Sequence, residues 1–417
     1  MQKEYENHKR LFITSWLLMI ILWLLSSCME RTEGNKVVLC FPVYGQSLAL
    51  GEEAERITDF DSLSIYADGR IVTEHLNHSF GYFESNSIKA FAKKVVGYRK
   101  RAFELSVYNM AKILADHIGS DTLICIFPGG QGATTIANLS NGTTPYTKFI
   151  DDISTAYNEA HSRGWTFRVP AICWMQGESD IVDYPHTDYQ QMLRKIWSDM
   201  NADILSITHQ QDSIPFICYQ SNALTRAPHF HADSYQCPET QVPQAFVNLL
   251  RDNQWFWASG PTYPYSCVDD KIHIDAQGQQ AIGALAAQSV LDILRKERRQ
   301  AGLIPTAVKT EGNSVTIHFN IPNPPLSFDT LQVSKAHHYG FSIICKDNRD
   351  IVDTVMIAHN ATTDTDVIKI QCSESPVDCF VRYAVNGSPM KSGRLHGPRG
   401  NLRDQKHWCY QFNLPCR

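Results

Sequence analysis

The chain has 417 residues, 43% of them hydrophobic and 19% charged, with 38 Lys and Arg against 43 Asp and Glu. That length exceeds one compact core and suits two domains, and the composition is globular rather than disordered. A formal net charge of −5 without a long basic run argues against a nucleic-acid partner, because phosphate neutralisation needs clustered Lys and Arg.

At the N-terminus, Lys3, His8, Lys9 and Arg10 precede an apolar run over 11–25 that ends in Leu25-Ser26-Ser27-Cys28. A basic segment, a short apolar core and small residues make a secretory signal, and the run is short for a spanning helix. The order Leu-Ser-Ser-Cys resembles the bacterial lipobox, whose cysteine becomes the lipidated first residue of the mature chain. Residues 1–28 are therefore expected to be a lipoprotein-type signal peptide with Cys28 as the anchor; an uncleaved membrane anchor is the alternative. Either way the remainder is expected outside the cytoplasm, tied to the membrane of the bacterial envelope, in the periplasm or at the surface.

From about residue 36 to 298, short apolar runs alternate with longer amphipathic segments. The runs at 37–43, 123–127, 169–175 and 214–219 are almost continuously apolar, the pattern of parallel strands covered on both faces. Segment 146–163 sets Phe149, Ile150, Ile153, Ala156, Tyr157 and Ala160 on one helical face, with Pro145 at its entrance and Gly164 past its end. Segment 276–295 does likewise with Ile282, Leu285, Ala286, Val290 and Ile293. The alternation predicts an α/β domain over 36–298, a doubly wound parallel sheet with helices on both faces. Ligands of such sheets bind beyond the carboxyl ends of the strands. Segment 55–100 is long for a connection and leaves room for an inserted hairpin beside the site.

The charged run Arg295 to Arg299 closes this domain, and Gly302 and Pro305 punctuate the chain after it. Beyond them Val315, Ile317 and Phe319 alternate with polar neighbours, and apolar runs at 341–345, 351–357, 367–372 and 379–383 are separated by turn residues. That predicts a small antiparallel β-sandwich over 304–417. Of the twelve cysteines, Cys40, Cys125, Cys173 and Cys218 lie in apolar runs and read as small hydrophobes. Cys372, Cys379, Cys409 and Cys416 are the disulfide candidates, with the pairing left open. No spacing of Cys and His resembles a metal site, and no metal or cofactor is assigned.

Four segments carry chemistry. Gly45-Gln46-Ser47 follows the first strand, where a serine hydroxyl stands above the sheet edge near a helix N-terminus. Pro128-Gly129-Gly130-Gln131-Gly132-Ala133-Thr134-Thr135 follows the second apolar run; it has no Walker pattern, and a backbone N–H of Gly132 aimed at an oxyanion fits it better than a nucleotide. Trp174-Met175-Gln176-Gly177-Glu178-Ser179-Asp180 ends a buried strand. There Gln176 offers a side-chain amide to an oxyanion, Glu178 reads as a supporting group behind it, and Asp180 is left open. Asp270-Lys271-Ile272-His273 precedes the last helix of the domain, and its spacing lets one loop supply a general base and the carboxylate that orients it. Singly, each has a blander reading: Ser47 as a helix cap, Glu178 and Asp180 as surface charges.

Together and in this order, the four segments resemble the sialate O-acetylesterase-like carbohydrate esterases of the SGNH hydrolase superfamily. The resemblance spans 36–298 and implies an SGNH-type α/β fold and a Ser-His-Asp triad of Ser47, His273 and Asp270. It also implies an oxyanion hole from Gly132 and Gln176. The implied activity is removal of O-acetyl groups from carbohydrates, sialic acids or acetylated polysaccharide, without a cofactor. Two departures stand out: Gln176 replaces the Asn of the superfamily's name, and the second block more often reads Gly-Gly-Thr-Ser.

Tyr44, Trp174 and the run Trp255-Phe256-Trp257 are aromatics able to flank a sugar, although core packing is their ordinary role. A competing expectation is a glycan-binding envelope lipoprotein whose α/β domain is inactive and whose sandwich works through exposed Trp408 and Tyr410.

Overall fold

The apolar run after residue 36 forms one strand line, Val37–Cys40 and Val43–Gly45, broken at Phe41-Pro42 because proline supplies no ladder donor. Its neighbours break at the same level: Thr122–Cys125 continues as Pro128–Gly130, and Thr166–Arg168 as Ile172–Met175. Backbone bonds carry the ladder across the breaks, Phe41 N–H to Cys125 C=O at 2.8 Å and Cys173 N–H to Pro42 C=O at 3.0 Å. This computed structural model describes residues 36–73, 89–90, 103–183, 188–299, 301–362 and 364–416, without the side chains of 61, 64, 89, 90 and 270. The expected signal peptide over 1–28, with Cys28, lies outside the described residues.

The sheet is parallel, with the first strand line in the middle. On one side lie Thr122–Cys125 and then Ile71–Thr73; on the other lie Thr166–Arg168 with Ile172–Met175, then Phe216–Gln220 and Phe256–Pro261. The strand Ile71–Thr73 comes from the segment in which an inserted hairpin was expected. It extends the parallel sheet and pairs antiparallel with Lys89–Ala90. Chain order reverses on either side of the first strand, which makes the carboxyl end of that strand the natural place for a ligand.

Helices cover both faces. Ser106–His117 and Ala276–Leu294 pack together on one side; Thr144–Ser162, Tyr189–Thr208 and Gln241–Asp252 lie on the other. The helix Thr144–Ser162 buries Phe149, Ile153, Ala156 and Ala160, the face its spacing predicts, and Pro145 stands in its first turn. Each fully buried Phe or Ile there contributes about 1.5–3 kcal/mol. Tyr44 and Trp174, noted as possible sugar platforms, are fully buried: the Tyr44 ring packs on Phe149 at 4.5 Å and on Trp174 at 5.9 Å. Phe256 and Trp257 are core residues too.

The architecture changes after Leu294. Ile304–Glu311, Ser314–Asn320, Thr365–Cys372 and Val352–Asn360 form an antiparallel sheet in that order. The alternation read at Val315, Ile317 and Phe319 points all three inward. They face a second sheet of Phe341–Ile344, Phe380–Tyr383 and Phe412–Pro415, with Phe319 and Phe412 rings 6.3 Å apart. The register that sets Ile344 opposite Phe380 brings Cys345 beside Cys379, and these two form the disulfide. Cys372, Cys409 and Cys416 are free, buried thiols, so only Cys379 of the four cysteines singled out is bridged, and to a partner outside that group.

The two parts share one apolar core. The helix Gln241–Asp252 packs on both Ile304–Glu311 and Phe412–Pro415. Polar groups sew the seam: Gln411 N–H donates to Gln220 Oε1 at 2.7 Å, Gln220 Nε2 returns a bond to Gln411 C=O at 2.9 Å, and Gly260 N–H donates to Tyr410 Oη at 2.7 Å. Trp408 and Tyr410 are therefore buried at this seam, not displayed on a sandwich face. Deleting 301–417 would uncover Phe246, Leu250 and Tyr263 and orphan Gln220. The expected outcome is an aggregated product on expression, whereas the whole chain melts as one cooperative transition in a calorimeter.

Candidate active site

The carboxyl ends of three strands meet with almost no space between them. A Cβ on Gly45 would stand 1.9 Å from the Met175 carbonyl oxygen, and one on Gly130 would stand 1.8 Å from the Gly45 carbonyl oxygen. Gly130 also has φ +113°, which a side chain would disfavour. Gln46 N–H then bonds Met175 C=O at 3.0 Å and Gln131 N–H bonds Gly45 C=O at 3.1 Å, so the three segments beyond the strands are hydrogen-bonded to one another.

Ser47 opens the turn that follows. The chain curls back through Glu52 N–H to Ser47 C=O at 2.9 Å and Ala54 N–H to Gly51 C=O at 3.0 Å, and Glu53 takes a left-handed φ of 65°. Glu104, fully buried, holds the exit of this turn by accepting from Ile57 N–H at 2.9 Å and Thr58 N–H at 2.8 Å.

The loop 266–275 faces this turn, tied across its base by Val268 N–H to His273 C=O at 2.8 Å and Asp275 N–H to Ser266 C=O at 3.0 Å. Asp275 caps the helix Ala276–Leu294 by accepting from Gly278 N–H at 2.8 Å. From that helix Gln279 Nε2 donates to Leu48 C=O at 3.0 Å, clamping helix and serine turn together.

His273 thereby stands between two oxygens. Its Nε2 is 2.8 Å from Ser47 Oγ and its Nδ1 is 2.7 Å from Glu53 Oε2. Ser47 and His273 are brought together as expected. The carboxylate found at Nδ1 is that of Glu53, because the turn after Ser47 folds its own carboxylate onto the ring. Asp270 ends a short helical turn, Val268–Asp270, and its side chain lies outside the described residues. Imidazole between a hydroxyl and a carboxylate is the arrangement that activates a serine and stabilises the imidazolium formed.

The groups expected at the oxyanion are rearranged. Gln176 is fully buried; its amide nitrogen donates to Asp180 Oδ2 at 2.5 Å and Thr134 C=O at 3.1 Å, with Gln46 Oε1 at 3.2 Å, and its oxygen accepts from Tyr189 Oη at 2.8 Å. An amide nitrogen has two hydrogens, and both point at protein acceptors here. Gln46 is held the other way round. Its oxygen faces Ser179 N–H at 3.2 Å and Gln176, leaving its amide nitrogen without a protein acceptor among the described residues. The backbone N–H groups of Ser47, Gly132 and Ala133 also lack one among the described residues. Ala133, one residue beyond Gly132 and at φ 50°, lines the cavity at Ser47.

Asp180, undecided from sequence, joins two of the loops: it accepts from Ile136 N–H at 2.9 Å as well as from Gln176. Burial pushes its carboxyl up to about 6, against the pull of those hydrogen bonds. Glu178 lies against Tyr219, whose hydroxyl is 2.6 Å from Oε2, and burial pushes it up to about 7. The cavity over Ser47 and His273 has a volume of about 310 Å³ and is also lined by Gln46, Glu52, Glu178, Ser179, Val182, Asp183 and Ile272.

Residues 106–292 match the family model described as carbohydrate esterase, sialic acid-specific acetylesterase. The α/β domain is thus similar, over that span, to carbohydrate acetylesterases. The matched span, a little under half of the chain, includes Gly132, Gln176 and His273 and begins after Ser47 and Glu53. Among solved structures, the carbohydrate acetylesterase XAC1771 of Xanthomonas citri is similar at 15% identity and a TM-score of 0.61, over 91% of this chain and 80% of that one. At that identity the likeness is one of fold, and it extends through the C-terminal sheets. NanS is similar over 63% of this chain and 99% of its own, at 13% identity and a TM-score of 0.46. No curated protein sequence matches this chain.

The raised Glu178 has a consequence for stability. Its folded value of about 7 lies above the ordinary 4.5, so the folded chain keeps a proton that the unfolded chain loses, and stability falls as pH rises between those values. Glu178→Gln retains an acceptor for Tyr219 and removes the titration. The loss of stability between about pH 5 and about pH 8, on the order of 1–3 kcal/mol in the parent, is expected to shrink in this variant when both are melted across that range.

Proposed function

We propose that this chain is a serine esterase that removes O-acetyl groups from carbohydrates, with Ser47 as nucleophile, His273 as general base and Glu53 as the carboxylate that orients it. The observation that carries the reading is the hydrogen-bonded line from Ser47 Oγ through His273 to Glu53 at 2.8 and 2.7 Å. His273 Nε2 takes the Ser47 proton while Oγ forms a bond to the acetyl carbonyl carbon, and the carbonyl electron pair moves to oxygen. As the tetrahedral centre collapses, the sugar oxygen leaves with the proton from Nε2, and Ser47 is acetylated. Water, deprotonated by the same nitrogen, releases acetate and restores the serine.

The oxyanion would be met by Ser47 N–H, Ala133 N–H and the Gln46 amide, the donors at this cavity with no protein acceptor among the described residues. Gln176, named for this role from sequence, acts instead by fixing Gln46 and Asp180. Acetylated sialic acids and acetylated polysaccharide are the two substrate classes that the family description and the sequence resemblance support. The lipobox-like segment ending in Cys28 supports attachment to the outer face of an envelope membrane, where such glycans are met. The binding-protein alternative loses its support, since Trp408 and Tyr410 are buried.

The test is acetate release by residues 29–417 from acetylated sialic acids and acetylated xylan. Ser47→Ala is expected to lower turnover by about four orders of magnitude, as removal of an activated nucleophile does. Glu53→Gln should lower it by about two to four orders, because the ring loses its orienting charge, while Asp270→Asn keeps most of it. Equal losses in the last two variants would return Asp270 to the triad. Gln46→Ala is expected to lower turnover by about a hundredfold with little change in KM, a loss felt at the transition state.

A further inference from the structure

Resting on the esterase reading above, we infer that this site selects neutral acetylated sugars and disfavours sugars bearing a carboxylate, through Glu52 and Asp183 at the rim of the cavity. Both side chains line the same cavity as Ser47 and His273, from opposite segments: Glu52 from the serine turn, Asp183 from the end of the short helix Glu178–Val182. Neither has a hydrogen bond or ion pair from its side chain among the described residues. Glu52 is half-buried and Asp183 exposed, so both reach solvent at the mouth.

Among the described residues, the rest of the charge around the cavity does not offset them. Glu53 is engaged with His273, and Glu178 is tied to Tyr219. Lys271, the cation on the adjoining loop, already bonds Asp269 at 3.3 Å. The remaining lining groups are Gln46 and Ser179, which are neutral, and Ala133, Val182 and Ile272, which are apolar. An anionic sugar entering here brings its charge towards two unpaired carboxylates beside low-dielectric walls, where fields are focused. A neutral xylose or hexose unit brings no charge, and its carbon-rich face suits Val182 and Ile272. Sialic acids and uronic acids are both anionic. Of the two substrate classes above, the rim therefore favours acetylated neutral polysaccharide.

The test uses two acetylated methyl glycosides that differ only in charge, a glucoside and the matching glucuronide, together with acetylated sialic acid. Binding is measured by NMR titration of the Ser47→Ala protein, which needs no turnover, and acetate release is measured with the parent. At low salt the neutral sugar is expected to bind, and to be cleaved at kcat/KM, about tenfold better than either anionic one. The gap should close as sodium chloride is raised, since the Debye length falls from about 10 Å at 0.1 M to about 3 Å at 1 M. The double variant Glu52→Gln, Asp183→Asn should narrow it already at low salt.

Equal or tighter binding of the anionic sugars would overturn the inference. So would a gap that neither salt nor the double variant changes, or an absence of binding by any of the sugars. Preferential binding of the neutral sugar without acetate release from any substrate would instead sink the esterase reading and leave the charge selection standing.

Discussion

Everything at this site depends on how closely three strand ends approach one another. With the Met175 carbonyl 1.9 Å from where a Gly45 side chain would begin, the backbone after the first strand has one route, over the edge of the sheet. That route sets Gln46 against the Trp174–Asp180 segment and turns Ser47 outward. The glycine-rich segment can follow only because Gly130 likewise lacks a side chain. The proposed oxyanion donors and nucleophile are thus products of packing between strands. They do not depend on a helix dipole, for the turn at Ser47 is irregular.

Around this constraint the buried polar groups form a scaffold. Asp180, Gln176, Tyr189 and Gln46 bond one another in a chain that links three loops, and Glu104 and Gln279 brace the serine turn from outside. Buried networks of this kind specify one arrangement when every member is satisfied, and these are nearly so. Among the described residues two groups are left open, the Gln46 amide nitrogen, whose residue lines the cavity, and the buried Gln279 Oε1.

Much of this was legible in the sequence, for identifiable reasons. Parallel strands covered on both faces must be apolar throughout, so the runs at 37–43 and 169–175 declared themselves. Ser47 and His273 were found because each sits where the fold puts reactive groups, beyond a strand and before a helix. Glu53 was not, because its part depends on a left-handed backbone and a folded-back turn that periodicity does not encode. Proximity in sequence favoured Asp270 instead, three residues from the histidine. The same limit applies to Gln176 and Gln46: both are amides at strand ends, and only the hydrogen-bond partners decide which one is spent on the protein. The bridge of Cys345 to Cys379 is not legible in the sequence because strand register, not spacing, brings them together. Trp408 and Tyr410 read as exposed in the sequence because strand alternation does not reveal the seam that buries them.

Ser47 and Glu53, the proposed nucleophile and orienting carboxylate, lie six residues apart on one turn, while the imidazole between them hangs from a loop more than two hundred residues away. The reactive line therefore crosses a single boundary twice, and Gln279 is a principal latch across it. Such a device has no half-working state: if the loop lifts by an ångström or two, both bonds to the ring are lost together. Parting these two surfaces would then silence the proposed centre while the sheet beneath is still whole.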